Sequence, residues 1–511
     1  TYKDAEEALK LASKGRDGNA AASLADLRVE ALILARRSTR RDKIALIDVL
    51  DGIARQQPLT LTQQIQLAQL CEQTGDEERA RQILEALLEE HPLHPILLAS
   101  FARHLMRHAE RDEADLLRAQ ELVAHLEGVE PDSFRTATTR ARLLSAQGRG
   151  DEAVEGLRRY LARIRNAPAE QHAELIVGRD NVEETLAALR THLANQQDVS
   201  GRAVLAQAEQ LVREGEPEAA MTILRIYLEA KDEFAGVLRT TPLLLVAQLL
   251  EDIGQFDAAE EHYRQFAEQS PSPQAALGLA FFLARQRRYD EAVELCRNAW
   301  EQVPAETAAN YHVGVLSSAV RHSDAVRTEW IEDLEKRLTA ALASAPQSLP
   351  LLNAMAQLRT LQERDDQVEQ LYRMMLRLNG RHVVALNNLA FLLALQRRDP
   401  AEAERLIGRA IGLVGPAAEL LDTRGVVLLS ANRPEQAVED LKTAVADAPT
   451  ATKYFHLAQA YRQSGRRSNA KDALAEAVRL GLDPQELHRL ERPLHDRLLR
   501  ELDVSTQSAQ R

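Results

Sequence analysis

A small residue returns along this chain at a near-constant interval, each time inside a helix-patterned stretch. Ala68, Ala102, Ala141, Ala208, Ala247, Ala280, Gly314, Ala356, Ala390, Gly425 and Ala458 lie 34, 39, 67, 39, 33, 34, 42, 34, 35 and 33 residues apart in turn. Repetition at this period means one supersecondary unit stacked on copies of itself, because a single copy cannot bury its own apolar face. Apolar residues around each anchor follow helical spacing, and a polar turn follows about seven residues later. A chain so patterned folds into helix pairs.

The grammar is clearest in "YFHLAQAYRQSGRRSNAKDALAEAV", from Tyr454 to Val478. With Ala458 at position 8, Tyr454, Leu457 and Tyr461 fall at 4, 7 and 11, Gly465 at 15, Ala470 at 20 and Leu474 at 24. The preceding unit repeats it with Leu421, Gly425, Leu428, Ala437, Leu441 and Pro449. Small residues at 8 and 20 let two helices approach, and bulky ones fill the groove between them. Glycine at 15 lets the chain leave the first helix, and the proline closes the second. These residues resemble the tetratricopeptide repeat, a helix–turn–helix unit of 34 residues. The resemblance spans almost the whole chain, and the ending "GLDPQELHRLERP" is similar to the tails of large bacterial arrays. It implies an all-α fold: a right-handed α-solenoid (superhelix) of about thirteen units with a C-terminal capping helix.

The anchors divide the chain as follows. Residues 1–60 hold degenerate N-terminal helices, with Leu46, Leu50, Ile53 and Pro58 in register and "TYKDAEEALKLA" reading as half of a truncated unit. Residues 61–199 hold further units, the one at 168–199 degenerate; 200–305 are regular, 306–347 extended, and 348–483 the C-terminal units. Residues 484–511 read as the capping helix and a disordered tail. The long intervals predict lengthened helices or loops in 103–119 and 318–338.

Charge and motifs narrow the function. The net charge of -13 opposes nucleic-acid binding, which draws its affinity from phosphate neutralisation. No apolar run is long enough for a membrane span. No signal peptide is visible, so cytoplasm is the default compartment, with periplasm the expectation if a leader preceded Thr1. The two cysteines, Cys71 and Cys296, fall on core positions. There is no P-loop, HExxH, GxSxG or GxGxxG, so neither an enzyme nor a cofactor is expected. His104 and His108 share a helix face without a third ligand, which reads as a solvated or packed pair rather than a metal site. Arg149-Gly150-Asp151 reads as turn chemistry.

In the family, first-helix positions 2, 5, 6, 9, 12 and 13 line a concave binding surface, which the resemblance carries onto Phe281, Asn353, Gln357, Asn387, Asn388, Phe391, Phe455, His456 and Gln459. Amides there suit an extended peptide backbone, and the phenylalanines suit apolar side chains. A family clamp for peptide carboxyl termini is not expected. Asn387 stands where lysine is wanted, Phe391 where asparagine is, and Glu419 and Asp422 would repel the carboxylate. The resulting expectation is a non-enzymatic scaffold for protein or peptide partners. The alternative is a regulatory or sensor arm of a larger protein whose catalytic region lies outside this chain.

Overall fold

The computed structural model describes residues 23–35, 37, 39–107, 113–166, 204–209, 232–270, 275–322 and 327–504. Every element among them is helical, and none is a strand. The helices are α1 (Leu24–Leu34), α2 (Arg40–Ala54), α3 (Leu61–Thr74), α4 (Glu77–Glu90), α5 (Pro95–Arg107), α6 (Glu113–Val129), α7 (Phe134–Ala146) and α8 (Gly150–Asn166). Next come α9 (Asp232–Asp252), α10 (Phe256–Gln269), α11 (Ala275–Arg285), α12 (Tyr289–Ala299), α13 (Ala305–His322) and α14 (Thr328–Ser344). The regular pairs follow: α15 (Leu349–Leu361) with α16 (Asp365–Leu378), α17 (Val383–Leu395) with α18 (Pro400–Val414), α19 (Ala418–Ser430) with α20 (Pro434–Asp447), and α21 (Ala451–Gln463) with α22 (Arg467–Arg479). A 3-10 turn at Pro484–Glu486 leads to α23 (Arg492–Leu502). The fold is an all-α solenoid, in two compact units: Gln64–Gln69 with Asp76–Phe282, and Thr1–Gln63 with Leu70–Gly75 and Leu283–Arg511.

Helix pairing follows the small residues. Ala141 and Ala153, and Ala247 and Ala259, are buried in the first unit, as are Gly425 and Ala437, and Ala458 and Ala470, in the second. Gly425 shows why. A Cβ built there would lie 2.5 Å from Leu441 Cγ, so α19 and α20 touch where only hydrogen fits. The turns after α3, α7, α9, α11, α15, α17, α19 and α21 place their position-15 residue in the left-handed region. Gly465 has φ 76°, but Arg287 (60°), Glu363 (57°), Arg397 (53°) and Asn432 (58°) adopt it without being glycine. The geometry belongs to the unit and is imposed even on residues that disfavour it. Asp399 follows Arg397 as an added turn residue and caps α18 by accepting from Glu402 N at 2.9 Å. That insertion accounts for the 35-residue interval from Ala390 to Gly425.

The long intervals are taken up by longer helices: α6 has 17 residues, α13 18 and α14 17, against 13 in α15, α17, α19 and α21. Within α13 the anchor shifts. Gly314 is half-buried, and Val313 takes the enclosed position beside it. Leu46, Leu50 and Ile53 are buried on α2 as their register requires. Both cysteines are buried free thiols, and burial pushes Cys296 up to about 12. The 168–199 unit, the opening "TYKDAEEALKLA", His108 and the tail beyond residue 504 lie outside the described residues.

Candidate functional site on the inner face of the C-terminal helices

The first helices α15, α17, α19 and α21 present one face inward. Phe391 of α17 and His456 of α21 bring their rings to 6.2 Å although α19 lies between them in the array. Side chains two units apart meet only on the concave side of a curved stack. Thr450 starts α21 by capping Lys453 N, which sets His456 and Gln459 on that face one turn apart. His382 caps α17 by accepting from Ala385 N and so sets Asn387, Asn388 and Phe391.

His456 is the electrostatic centre. Its Nδ1 lies 2.7 Å from Asp422 Oδ1 on α19, and its Nε2 lies 2.9 Å from Glu491 Oε1. Burial opposes its protonation, but the two carboxylates outweigh burial by charge and hydrogen bonding and raise it to about 10. An imidazolium with both N–H groups donating therefore bridges two acids. Asp422 and His456 are separated by one repeat length, as are Glu419 and Lys453 (3.4 Å), so charge pairs tie α19 to α21 along this face.

The amides form a second layer. Asn387 Nδ2 donates to Asn388 Oδ1 at 3.1 Å, and Asn388 Nδ2 donates to the Tyr372 hydroxyl at 3.0 Å. Asn353 Oδ1, Asn387 Oδ1 and Gln459 Nε2 are enclosed and have no hydrogen-bond partner among the described residues. Gln357 and Phe391 are half-buried. Phe281 is half-buried on α11, in the other compact unit.

One expectation needs correction. Phe455, His456 and Gln459 do not face an open groove: they are 0%, 1% and 7% exposed. The C-terminal residues cover them. His495 of α23 packs its ring 6.0 Å from Phe455, and Leu487, Leu498 and Leu502 join the core of α21 and α22. The cap is also not one continuous helix. Pro493 sits in the first turn of α23, and the residues before it form the 3-10 turn and an irregular segment. That segment, Leu487–Glu491, crosses the inner face. Arg489 donates to Asp365 Oδ2 at 2.5 Å, His488 Nε2 lies 3.5 Å from Asp365 Oδ1, and Arg492 lies 3.6 Å from Glu363. The 3-10 turn packs against α13. Behind it, Arg462 donates to both carboxylate oxygens of Glu501 at 2.5 and 3.0 Å.

Asp365, Arg489 and Glu491 were not legible as site residues, since Arg489 and Asp365 are 124 positions apart. Pro493 was the available signal: it marks a helix start at odds with a helix running through 484–502. His104, the other candidate ligand, is buried and sits 6.3 Å from Phe101. Among the described residues no cluster of histidine, cysteine and carboxylates could hold a metal, and no helix is long and apolar enough to cross a membrane.

Family models of the tetratricopeptide repeat match residues 244–306 and 388–452, and a further one matches 454–480. Curated proteins give no match. Among solved structures, the chain is similar to a tetratricopeptide repeat protein from Parabacteroides merdae, at 17% identity over 52% of this chain and 98% of that one, with a TM-score of 0.39. It is also similar to a chain of the APC/C hetero-tetramer Cut9-Hcn1 (16% identity, 95% and 91% covered, TM-score 0.38) and to yeast Tom70 (14%, 94% and 96%, TM-score 0.40).

Proposed function

We propose that this chain, which carries tetratricopeptide repeats, is a non-enzymatic scaffold that docks segments of partner proteins along the inner face of its first helices. Repeats of this kind generally mediate protein–protein contact. The observation that supports the reading is the pair of enclosed, unpaired amide oxygens of Asn353 and Asn387, with half-buried Phe391 one turn beyond Asn387. An extended peptide offers one N–H and one C=O per residue, which suits such atoms. A preformed face of rigid helices also limits the entropy lost on binding.

Partner capture from the source lysate tests this. Wild type should retain a defined set of proteins, and Asn387→Ala/Phe391→Ala should lose some of it while keeping the wild-type helical circular dichroism. Retention of every partner by the folded variant would remove this face from the mechanism.

A further inference from the structure

Segment Leu487–Glu491 forms a turn, with Glu491 N donating to His488 O, and meets the inner face at His456. Its acid, Glu491, is 4% exposed and meets the imidazolium of His456, and its base, Arg489, meets Asp365. Leucine 487 fills an apolar position between them and the core of α21 and α22, whereas Leu490 remains exposed. On the same face, Asn353 Oδ1, Asn387 Oδ1 and Gln459 Nε2 stay unpaired while enclosed. The charges left by lifting the segment away define the occupant that could replace it: His456 would lose Glu491, and Asp365 would lose Arg489.

We propose that the inner face of α15, α17, α19 and α21, with Asp365 at the start of α16, takes a partner segment carrying a basic residue followed by a carboxylate, and that Leu487–Glu491 holds this site closed until the partner displaces it. The proposal rests on the scaffold reading and adds the partner chemistry and the competitor. The anchor stays in place: Leu498 and Leu502 of α23 keep the cap on α22 while the segment exchanges.

The probe is a fluorescein-labelled peptide reproducing residues 484–495, titrated by anisotropy into the full chain. An Arg489→Ala/Glu491→Gln chain should bind it at least tenfold more tightly than wild type, whose site is filled at high effective concentration. The same peptide with Glu491→Gln should lose that gain. Equal binding by wild type and the folded variant, or binding by neither, overturns the proposal. If the variant does not fold, hydrogen exchange on the wild type decides. Amides of 487–491 should exchange at least tenfold faster than those of α21 and slow on adding peptide; exchange matching α21, unchanged by peptide, overturns it. Failure of the peptide with partner capture intact removes the competitor and leaves the scaffold, whereas loss of partner capture removes both.

Discussion

At the scale of single residues, two histidines in the second unit bias stability in opposite directions with pH. His456 is raised above its ordinary 6.5 to about 10 by Asp422 and Glu491. Its contribution is complete below pH about 6.5, where the unfolded chain is also protonated, and is lost as pH rises toward 10. His312 is lowered to about 4, chiefly by burial, and accepts from Trp300 Nε1 at 3.1 Å. It must stay neutral, so its environment costs stability as pH falls from 6.5 toward 4. Urea midpoints measured across pH should therefore fall on both sides of about 6.5. His456→Gln should flatten the alkaline limb and His312→Gln the acid limb. His456→Gln should also cost about 3–5 kcal/mol at neutral pH, because the buried Glu491 and the half-buried Asp422 lose their cation. Superimposable pH profiles for wild type and both variants would contradict these assignments. Two helix glycines likewise part company. Gly425→Ala should destabilise by about 1–2 kcal/mol, since the new methyl meets Leu441. Gly408→Ala meets nothing within 4 Å and should stabilise by about 0.5–1 kcal/mol. Chemical denaturation of the two variants reads the signs directly.

At the scale of elements, the helix pair was legible because its requirements are local. Small residues at 8 and 20, an apolar stripe and a closing proline each act within one unit, and they place most helices. The left-handed turn was visible at Gly465 but silent at Arg287, Glu363 and Arg397, where tertiary packing overrides residue preference. Arg397→Gly should thus stabilise by about 0.5–1 kcal/mol, while Arg397→Ala should change little, and thermal melts would separate them. Position alone proposes an inner face through Asn353, Asn387 and Phe391, and of these Phe391 meets His456 across α19. At α21 position alone was insufficient, because Phe455, His456 and Gln459 are covered by α23 and the segment before it. That covering depends on contacts such as Arg489 to Asp365, for which no periodic pattern exists.

At the scale of the whole molecule, a solenoid's stability is a sum of unit and neighbour terms, so its last unit needs a cap. Under the proposed exchange the cap does more than close an apolar end: its leading segment occupies the partner's place. The proposed docking places partners on the inner face of α15 to α21. Site-specific photo-crosslinking in source lysate tests it most directly, with the crosslinking residue placed at Gln357 on the half-buried inner face or at Arg405 on exposed α18. Docking on the inner face predicts discrete partner adducts from position 357 that an excess of the 484–495 peptide suppresses, and few from position 405. Adducts from 405 alone, or adducts from 357 that the peptide leaves unchanged, would contradict it.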